Sequence, residues 1–236
     1  MMLCNPSTFG PNLLGHIAGN NYDIFGVSET HLLPSRLGEA TKQMHELGYS
    51  SGFTAAGPYK DIVAAGGTSL HIRSRLVPTF LLDTTRALPC GETPWDWTAC
   101  AVPFEGFEVV FISIYLHSSI GFTGPNVQKL AQLRAWLKLL SKPWVVMGDW
   151  NMPPQQLANT MIFDDLACQL VAPVDATITC SRGQGALLDY AIAHQSLAWL
   201  LSEATTVGDA PWTTHLPVQF WVNRDTKGAD PRAQSA

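Results

Sequence analysis

The chain lacks any uninterrupted apolar run of the ~20 residues needed to cross a bilayer as a helix, so its 46% hydrophobic content reads as folded core rather than membrane span. Paired cysteines are missing too. The five cysteines, Cys4, Cys90, Cys100, Cys168 and Cys180, are odd in number and scattered, without the close spacing of a zinc knuckle or redox motif. A reducing compartment is therefore expected, and structural zinc is not. Positive charge is sparse: 14 Lys and Arg against 19 Asp and Glu give a net charge of −5, and no basic cluster is longer than Arg73-Ser74-Arg75. Phosphate neutralisation supplies most non-specific nucleic-acid affinity, so this composition argues against a high-affinity DNA binder. It argues less against an enzyme, because acidic metal-ligating residues themselves push the balance negative. The opening Met1-Met2-Leu3-Cys4-Asn5-Pro6 has no basic segment followed by an apolar one. No secretory signal is visible there, and an intracellular location, nuclear or cytoplasmic, is expected.

At 236 residues the chain is long for one domain and short for two, and no repeat or long linker divides it. Apolar runs at 24–27, 68–72, 98–102, 109–115, 144–147 and 187–192 are flanked by Gly, Pro or Asp and read as buried strands. Leu37, Ala40, Met44 and Leu47 fall on one helical face, with Ser35 as cap and Gly48 just past the end. A second helix is predicted over 127–140, capped by Asn126, with Leu130, Leu133, Leu137 and Leu140 at helical spacing. Shorter helices are expected around 163–170 and 196–202. Strands dominate and do not strictly alternate with helices, which predicts sheets packed face to face with helices outside. One α/β domain is expected over 1–222, followed by a polar, disordered tail over 223–236.

Four short segments carry candidate chemistry. Ser28-Glu29-Thr30 closes an apolar strand, and Tyr115-Leu116-His117 closes another. Gly148-Asp149-Trp150-Asn151 follows a third, with Gly148 read as the point of a sharp turn. Asp189-Tyr190 lies in a late strand, about 25 residues before His215-Leu216-Pro217-Val218. Each segment alone has an ordinary reading, as a strand-end carboxylate, a turn or a surface histidine. His31 and His117 read as partly exposed loop histidines. Trp95, Trp97, Trp136, Trp144 and Trp212 read as packing residues, while Trp150, between Asp149 and Asn151, is a candidate to line a cleft.

Taken in order, these segments resemble the endonuclease/exonuclease/phosphatase superfamily, over almost the whole chain from Asn5 to Val218. Ser28-Glu29-Thr30-His31-Leu32 and the Gly66-Gly67 strand are similar to the endonuclease domains of non-LTR retrotransposons. The resemblance implies a DNase I-like fold, a four-layer α/β sandwich of two packed mixed β-sheets flanked by helices. It also implies a Mg²⁺-dependent phosphodiester hydrolase, with Mn²⁺ possible as the ion, a monomer acting on nucleic acid, DNA in the first instance. Glu29 then resembles the principal metal-ligating glutamate, and Asn5 the N-terminal Asn that helps hold the metal region. Asp149 resembles the residue that orients or deprotonates the attacking water, and Asn151 would hydrogen-bond a phosphate oxygen. His215 resembles the histidine on the scissile phosphate, Asp189 the carboxylate that fixes its tautomer, and Tyr115 a tyrosine that donates to the phosphate. These residue types suit the chemistry: a hard cation takes oxygen ligands and keeps several waters, and phosphoryl charge must be neutralised.

The chain departs from the pattern at two positions. Thr214 stands where the family has an Asp before the His, and Ser7 where it has an acid two residues after the Asn; Asp209 is the nearby carboxylate that could compensate. These departures motivate one alternative, an inactive relic that retains the fold; the acidic balance and the lack of a basic stripe motivate another, a phosphatase or phosphodiesterase acting on a phosphoinositide or other small phosphoester.

Overall fold

A computed structural model describes residues 1–59, 62–81 and 97–222. The expected tail at 223–236, together with Cys90 and Trp95, lies outside the described residues. In chain order the strands are β1 (Met2–Cys4), β2 (Ile24–Ser28), β3 (Tyr49–Phe53), β4 (Gly57–Tyr59), β5 (Ile62–Ala65), β6 (Thr68–Arg73) and β7 (Thr79–Phe80). They continue with β8 (Trp97–Phe104), β9 (Phe107–Tyr115), β10 (Trp144–Asp149), β11 (Cys168–Val171), β12 (Asp189–His194), β13 (Leu201–Thr206) and β14 (Val218–Val222). The helices are α1 (Pro11–Gly19), α2 (Leu37–Glu46), α3 (Gly124–Leu139) and α4 (Pro154–Asn159).

One six-stranded sheet runs β13-β14-β1-β2-β6-β3 and the other β11-β12-β10-β9-β8-β7, with β4 and β5 forming a separate hairpin. Both large sheets are mixed. β1 and β2 are parallel, as are β9 and β10, while the other neighbours in these two sheets are antiparallel. Parallel neighbours need a long crossover, and α1 and α3 supply it.

The twofold alternation of strand side chains sorts the apolar residues into layers. Leu3, Ile24, Leu70 and Ile72 from one sheet meet Val109, Phe111, Val145, Met147 and Ala191 from the other in a shared core. The opposite face of the first sheet, with Met2, Cys4, Phe25 and Val27, packs on Leu13 and Ile17 of α1 and Ala40 and Met44 of α2. The opposite face of the second, with Val110, Ile112, Trp144 and Val146, packs on Leu130, Leu133 and Leu137 of α3 and Leu157 of α4. The result is the expected four-layer sandwich, helices outside and two sheets within. No helix among the described residues is long and apolar enough to cross a membrane.

Several local expectations are corrected. Ser35 does not cap α2; it lies inside a 3₁₀ turn (Pro34–Arg36), and α2 begins without a side-chain cap. Gly48 does follow α2, at φ 82°, a left-handed conformation that glycine adopts without steric cost. α3 starts at Gly124, ahead of Asn126, because Pro125 suits a first helical turn whose N–H groups have no intrahelical partner. Asn126 instead turns inward: its oxygen accepts from the His117 N–H at 2.8 Å and its nitrogen donates to the His117 and Gly121 carbonyls at 2.9 Å each. The predicted helix at 163–170 is a turn followed by β11, which pairs with β12. The one at 196–202 is a short 3₁₀ turn (Gln195–Leu197) leading into β13. In both places sheet pairing overrides local helical preference.

Candidate active site

The core between the sheets changes character at one end. Inward-facing positions run Val109, Phe111, then Ser113 and Tyr115 on β9; Val145, Met147, then Asp149 on β10; Ala193, Ala191, then Asp189 on β12. On the first sheet Leu3 is followed by Asn5, and Ile24 and Gly26 by Ser28. Each strand thus carries an apolar inward stripe that ends in polar side chains. Because β1 and β2 are parallel, as are β9 and β10, those polar ends meet at one edge of the sandwich.

Register does the rest. Asp149 lies directly opposite Asp189 across the antiparallel β10–β12 pair and level with Tyr115 across the parallel β10–β9 pair. Gly148 is not the turn that the sequence suggests; it is inside β10, where a Cβ would overlap the Ile114 carbonyl oxygen of β9. The turn falls at Asn151, whose φ is 46°. Ser28 bridges the sheets, donating to the Ile114 carbonyl at 3.0 Å and accepting from the Asp149 N–H at 3.1 Å. Glu29 follows β2 at φ 58°, and the next two residues are held by the Gly66-Gly67 turn: Thr30 N donates to Gly67 O and His31 N to Gly66 O, both at 3.0 Å. At Gly67, with φ 80°, a Cβ would lie 2.6 Å from Thr30 Oγ1, so a side chain there would displace the Glu29 loop.

The side chains form one network. Asn5, fully buried, donates its amide nitrogen to Asp149 Oδ2 at 2.8 Å and Glu29 Oε2 at 3.2 Å, while its oxygen accepts from the Ser7 N–H at 3.0 Å. It therefore ties two carboxylates together. Tyr115 donates its hydroxyl to Glu29 Oε1 at 3.0 Å. Asp149 Oδ1 accepts from the Asn151 N–H at 2.9 Å, and Asn151 commits one side-chain N–H to the Leu116 carbonyl at 2.7 Å. His215 Nδ1 lies 2.8 Å from Asp189 Oδ2, and its Nε2 faces Asp149 Oδ2 at 3.9 Å. Thr179 Oγ1 accepts the Leu188 and Asp189 N–H groups at 2.9 Å each, which seats Asp189.

Burial and charge act on these groups in opposite directions. Burial disfavours charge on His215, but the Asp189 hydrogen bond and charge outweigh it, helped by Asp149 and Glu29, and raise the imidazole pKa to about 9. Burial, then the Asp189 charge, pushes Asp149 up to about 7, against the pull of His215 and of the bonds from Asn151 and Asn5. For Glu29, burial also opposes ionisation, yet the bonds from His31, Asn5 and Tyr115 hold its carboxyl below the ordinary range. Burial, with Glu29 and Asp149 nearby, pushes the Tyr115 phenol well up, so it remains a donor.

The sequence-derived residues Asn5, Glu29, Tyr115, Asp149, Asn151, Asp189 and His215 are therefore brought together at one edge. Trp150 is not part of the cleft. It is fully buried on the outer side of β10, stacked on Tyr190 at 5.3 Å and donating its indole N–H to the Tyr190 carbonyl at 3.0 Å. Side chains alternate along the chain, so Asp149 facing the cleft sends its neighbour the other way. Asp209 is exposed and its charge acts on His16 and Tyr22 beside α1. His31, expected as a loop histidine, places Nε2 3.5 Å from Glu29 Oε1. Its spacing two residues after Glu29 was the available signal.

Two donor sets could hold a cation. Asp149, Asp189 and His215 have ligand atoms within 4.8 Å of one another. All three are at most 4% exposed, and His215 Nδ1 is already engaged by Asp189. A hard divalent ion that keeps several waters suits that closed, imidazolium-containing triad poorly. Glu29 sits at the rim with its side chain 18% exposed; Asn5 bonds it and also holds the Ser7 N–H, and the Ser7 hydroxyl oxygen is buried without a hydrogen-bond partner. A partly exposed carboxylate fits a partly hydrated ion.

Known proteins place this geometry in context. The sequence pattern of the endonuclease/exonuclease/phosphatase family matches residues 9–212, a span that stops short of Asn5 on one side and His215 on the other. No curated protein matches the chain in sequence. Among solved structures, the 3′ phosphatase NExo from Neisseria, bound to a product DNA hairpin, is similar at 16% identity and a TM-score of 0.65, covering 94% of this chain and 98% of that one. The AP endonuclease LMAP from Leishmania major is similar at 13% identity and a TM-score of 0.67, over 94% of this chain and 86% of that one. The endonuclease domain of TRAS1, a telomere-specific non-LTR retrotransposon, follows at 10% identity and a TM-score of 0.61, over 94% and 96%. At such identities these likenesses concern the fold, while the sequence pattern spans most of the chain: this protein belongs to the endonuclease/exonuclease/phosphatase family.

Proposed function

We propose that the chain is a divalent-metal-dependent phosphodiester hydrolase that cuts DNA as an endonuclease. The observation that carries this reading is the Asp149–His215–Asp189 array at the sandwich edge, joined to Glu29 through Asn5. An Asp149 carboxyl pushed to about 7 is matched to taking a proton from water near neutral pH. His215, held as imidazolium by Asp189, presents a buried positive charge and an N–H to a phosphate oxygen. The second amide N–H of Asn151 is a further donor at the same edge, and the Tyr115 hydroxyl, which donates to Glu29, would become one on turning from that carboxylate to a phosphate. Glu29 is the ligand that would hold the cation, Mg²⁺ or Mn²⁺, with Asn5 orienting it; a bound ion would neutralise phosphate charge. The protein is taken to work as a monomer inside the cell.

The test is nicking of supercoiled DNA by the purified protein with Mg²⁺ or Mn²⁺. Asp149→Ala and His215→Ala should each abolish it, and nicking unchanged in both would reject the site. A second reading, hydrolysis of a phosphomonoester or other small phosphoester, is favoured by the net charge of −5 and the absence of a basic stripe. Activity on a 3′-phosphate, phosphoinositide or sugar phosphate, with none on intact DNA, would establish it. The inactive reading rests on Ser7 and Thr214, and predicts no turnover on any of these substrates.

A further inference from the structure

Around the Glu29 carboxylate, one neighbour differs in kind from the others. Asn5 and Tyr115 approach with an N–H and an O–H, at ordinary hydrogen-bond distances of 3.2 and 3.0 Å. His31 approaches with Nε2 at 3.5 Å from Oε1, a longer contact that still helps to hold the carboxyl down and that brings a ring nitrogen to it. That oxygen already accepts from Tyr115. Two adjacent ligands of one octahedral ion lie ~3 Å apart, so Glu29 Oε1 and His31 Nε2, at 3.5 Å, need to close by only about half an ångström to share a cation. Both are at the rim, with side chains 18% and 34% exposed, where an ion can retain water.

The backbone holds this pairing in place. Glu29 and His31 both adopt left-handed conformations, at φ 58° and 55°, which non-glycine residues adopt only when their surroundings impose it. The imposition comes from the Gly66-Gly67 turn through its two carbonyls, which accept the Thr30 and His31 N–H groups. These torsions bring the His31 ring towards the carboxylate of Glu29, two residues earlier.

We propose that His31 is a metal ligand in this chain, forming with Glu29 a mixed nitrogen–oxygen site that prefers Mn²⁺ to Mg²⁺. The inference rests on the reading that a divalent ion binds at Glu29, and goes beyond it by naming a nitrogen ligand and the selectivity that follows. Mn²⁺ shares the preference of Mg²⁺ for oxygen donors, but as a first-row transition ion it accepts an imidazole ligand more readily than Mg²⁺, which dehydrates reluctantly and keeps its waters.

Mn²⁺ bound to the purified full chain provides the test, by calorimetry and by pulsed electron paramagnetic resonance, which detects a directly bonded nitrogen. The wild type should show ¹⁴N modulation and bind Mn²⁺ at least tenfold more tightly than Mg²⁺. His31→Ala should lose the modulation and weaken Mn²⁺ tenfold or more, with Mg²⁺ affinity changed less than threefold. His31→Asp, whose side chain tolerates positive φ well, guards against a folding defect: it should lose the nitrogen signal while gaining Mg²⁺ affinity. Mn²⁺ binding with no ¹⁴N signal would overturn the role of His31 and leave the metal reading standing. A signal that survives in His31→Ala but vanishes in His215→Ala would overturn it too, by moving the ion to the Asp149–Asp189–His215 set. No Mn²⁺ binding at all would reject the metal reading itself.

Discussion

Replacing Asp189 by Asn keeps the size and one acceptor beside His215 Nδ1 but removes the charge. The rise of the His215 pKa from 6.5 to about 9 is carried by the Asp189 hydrogen bond and charge against an opposing burial effect. At 1.36 kcal/mol per pH unit this is worth about 3 kcal/mol in favour of imidazolium. With the charge gone, burial is opposed only by the Asp149 and Glu29 charges, and the midpoint should fall back towards 6.5. A titration of the His215 Cε1–Hε1 resonance reads this directly, the midpoint being shared with Asp149 because the two interact closely. At pH 7.5 the ring should pass from almost wholly protonated to mostly neutral. The stability consequence has a definite sign. A histidine whose folded pKa is raised contributes fully below its unfolded pKa of 6.5 and loses that contribution as pH climbs through about 9. The urea stability gap between wild type and Asp189→Asn should therefore be wide at and below pH 6 and close towards pH 9. Relief of Asp149, whose carboxyl burial and the Asp189 charge push up to about 7, narrows the gap in the same direction over the lower part of that range, between its unfolded value and about 7. A His215 midpoint in the variant within half a unit of wild type, or a gap that widens with pH, would refute the account.

Two further substitutions test the packing behind the site. Gly148→Ala would drive a methyl into the Ile114 backbone and force β9 from β10; overpacking typically costs ~1–3 kcal/mol, and a backbone obstacle should place this case at the upper end, so an unchanged melting temperature would contradict the close approach. Trp150→Ala empties a fully buried site stacked on Tyr190 and should lower urea stability by ~3–5 kcal/mol. A cleft-lining tryptophan would instead leave stability nearly unaltered and change substrate affinity.

Much of the fold is legible along the chain because a buried strand must be apolar and a flanking helix must be amphipathic. The runs that become β2, β6, β8, β9, β10 and β12 are visible for that reason, as are the buried leucines of α3. What misleads is local preference where tertiary pairing decides. The 163–170 segment has helical spacing, yet its second half completes the edge of a sheet by bonding to β12. Asn126 has the chemistry of a cap, but the loop at His117–Gly121 has carbonyls and an N–H in need of partners, and Asn126 meets them. Trp150 reads as part of the Asp149–Asn151 motif and belongs to the opposite face, because neighbours on a strand point in opposite directions.

The candidate site divides in the same way. The order of the motifs, the carboxylates, the amides and the late histidine are properties of the chain alone, since residue type determines which atoms can ligate, donate or take a proton. Their meeting is not, because Asn5, Glu29, Tyr115, Asp149, Asp189 and His215 come from both sheets and are separated by up to 210 residues. Parallel pairing of β1 with β2 and of β9 with β10 brings those strand ends to one edge, and the β10–β12 register sets Asp149 against Asp189. The position of His31 on Glu29 depends further on left-handed torsions imposed by a glycine turn more than thirty residues away, a constraint that arises only when the two segments hydrogen-bond in the folded protein.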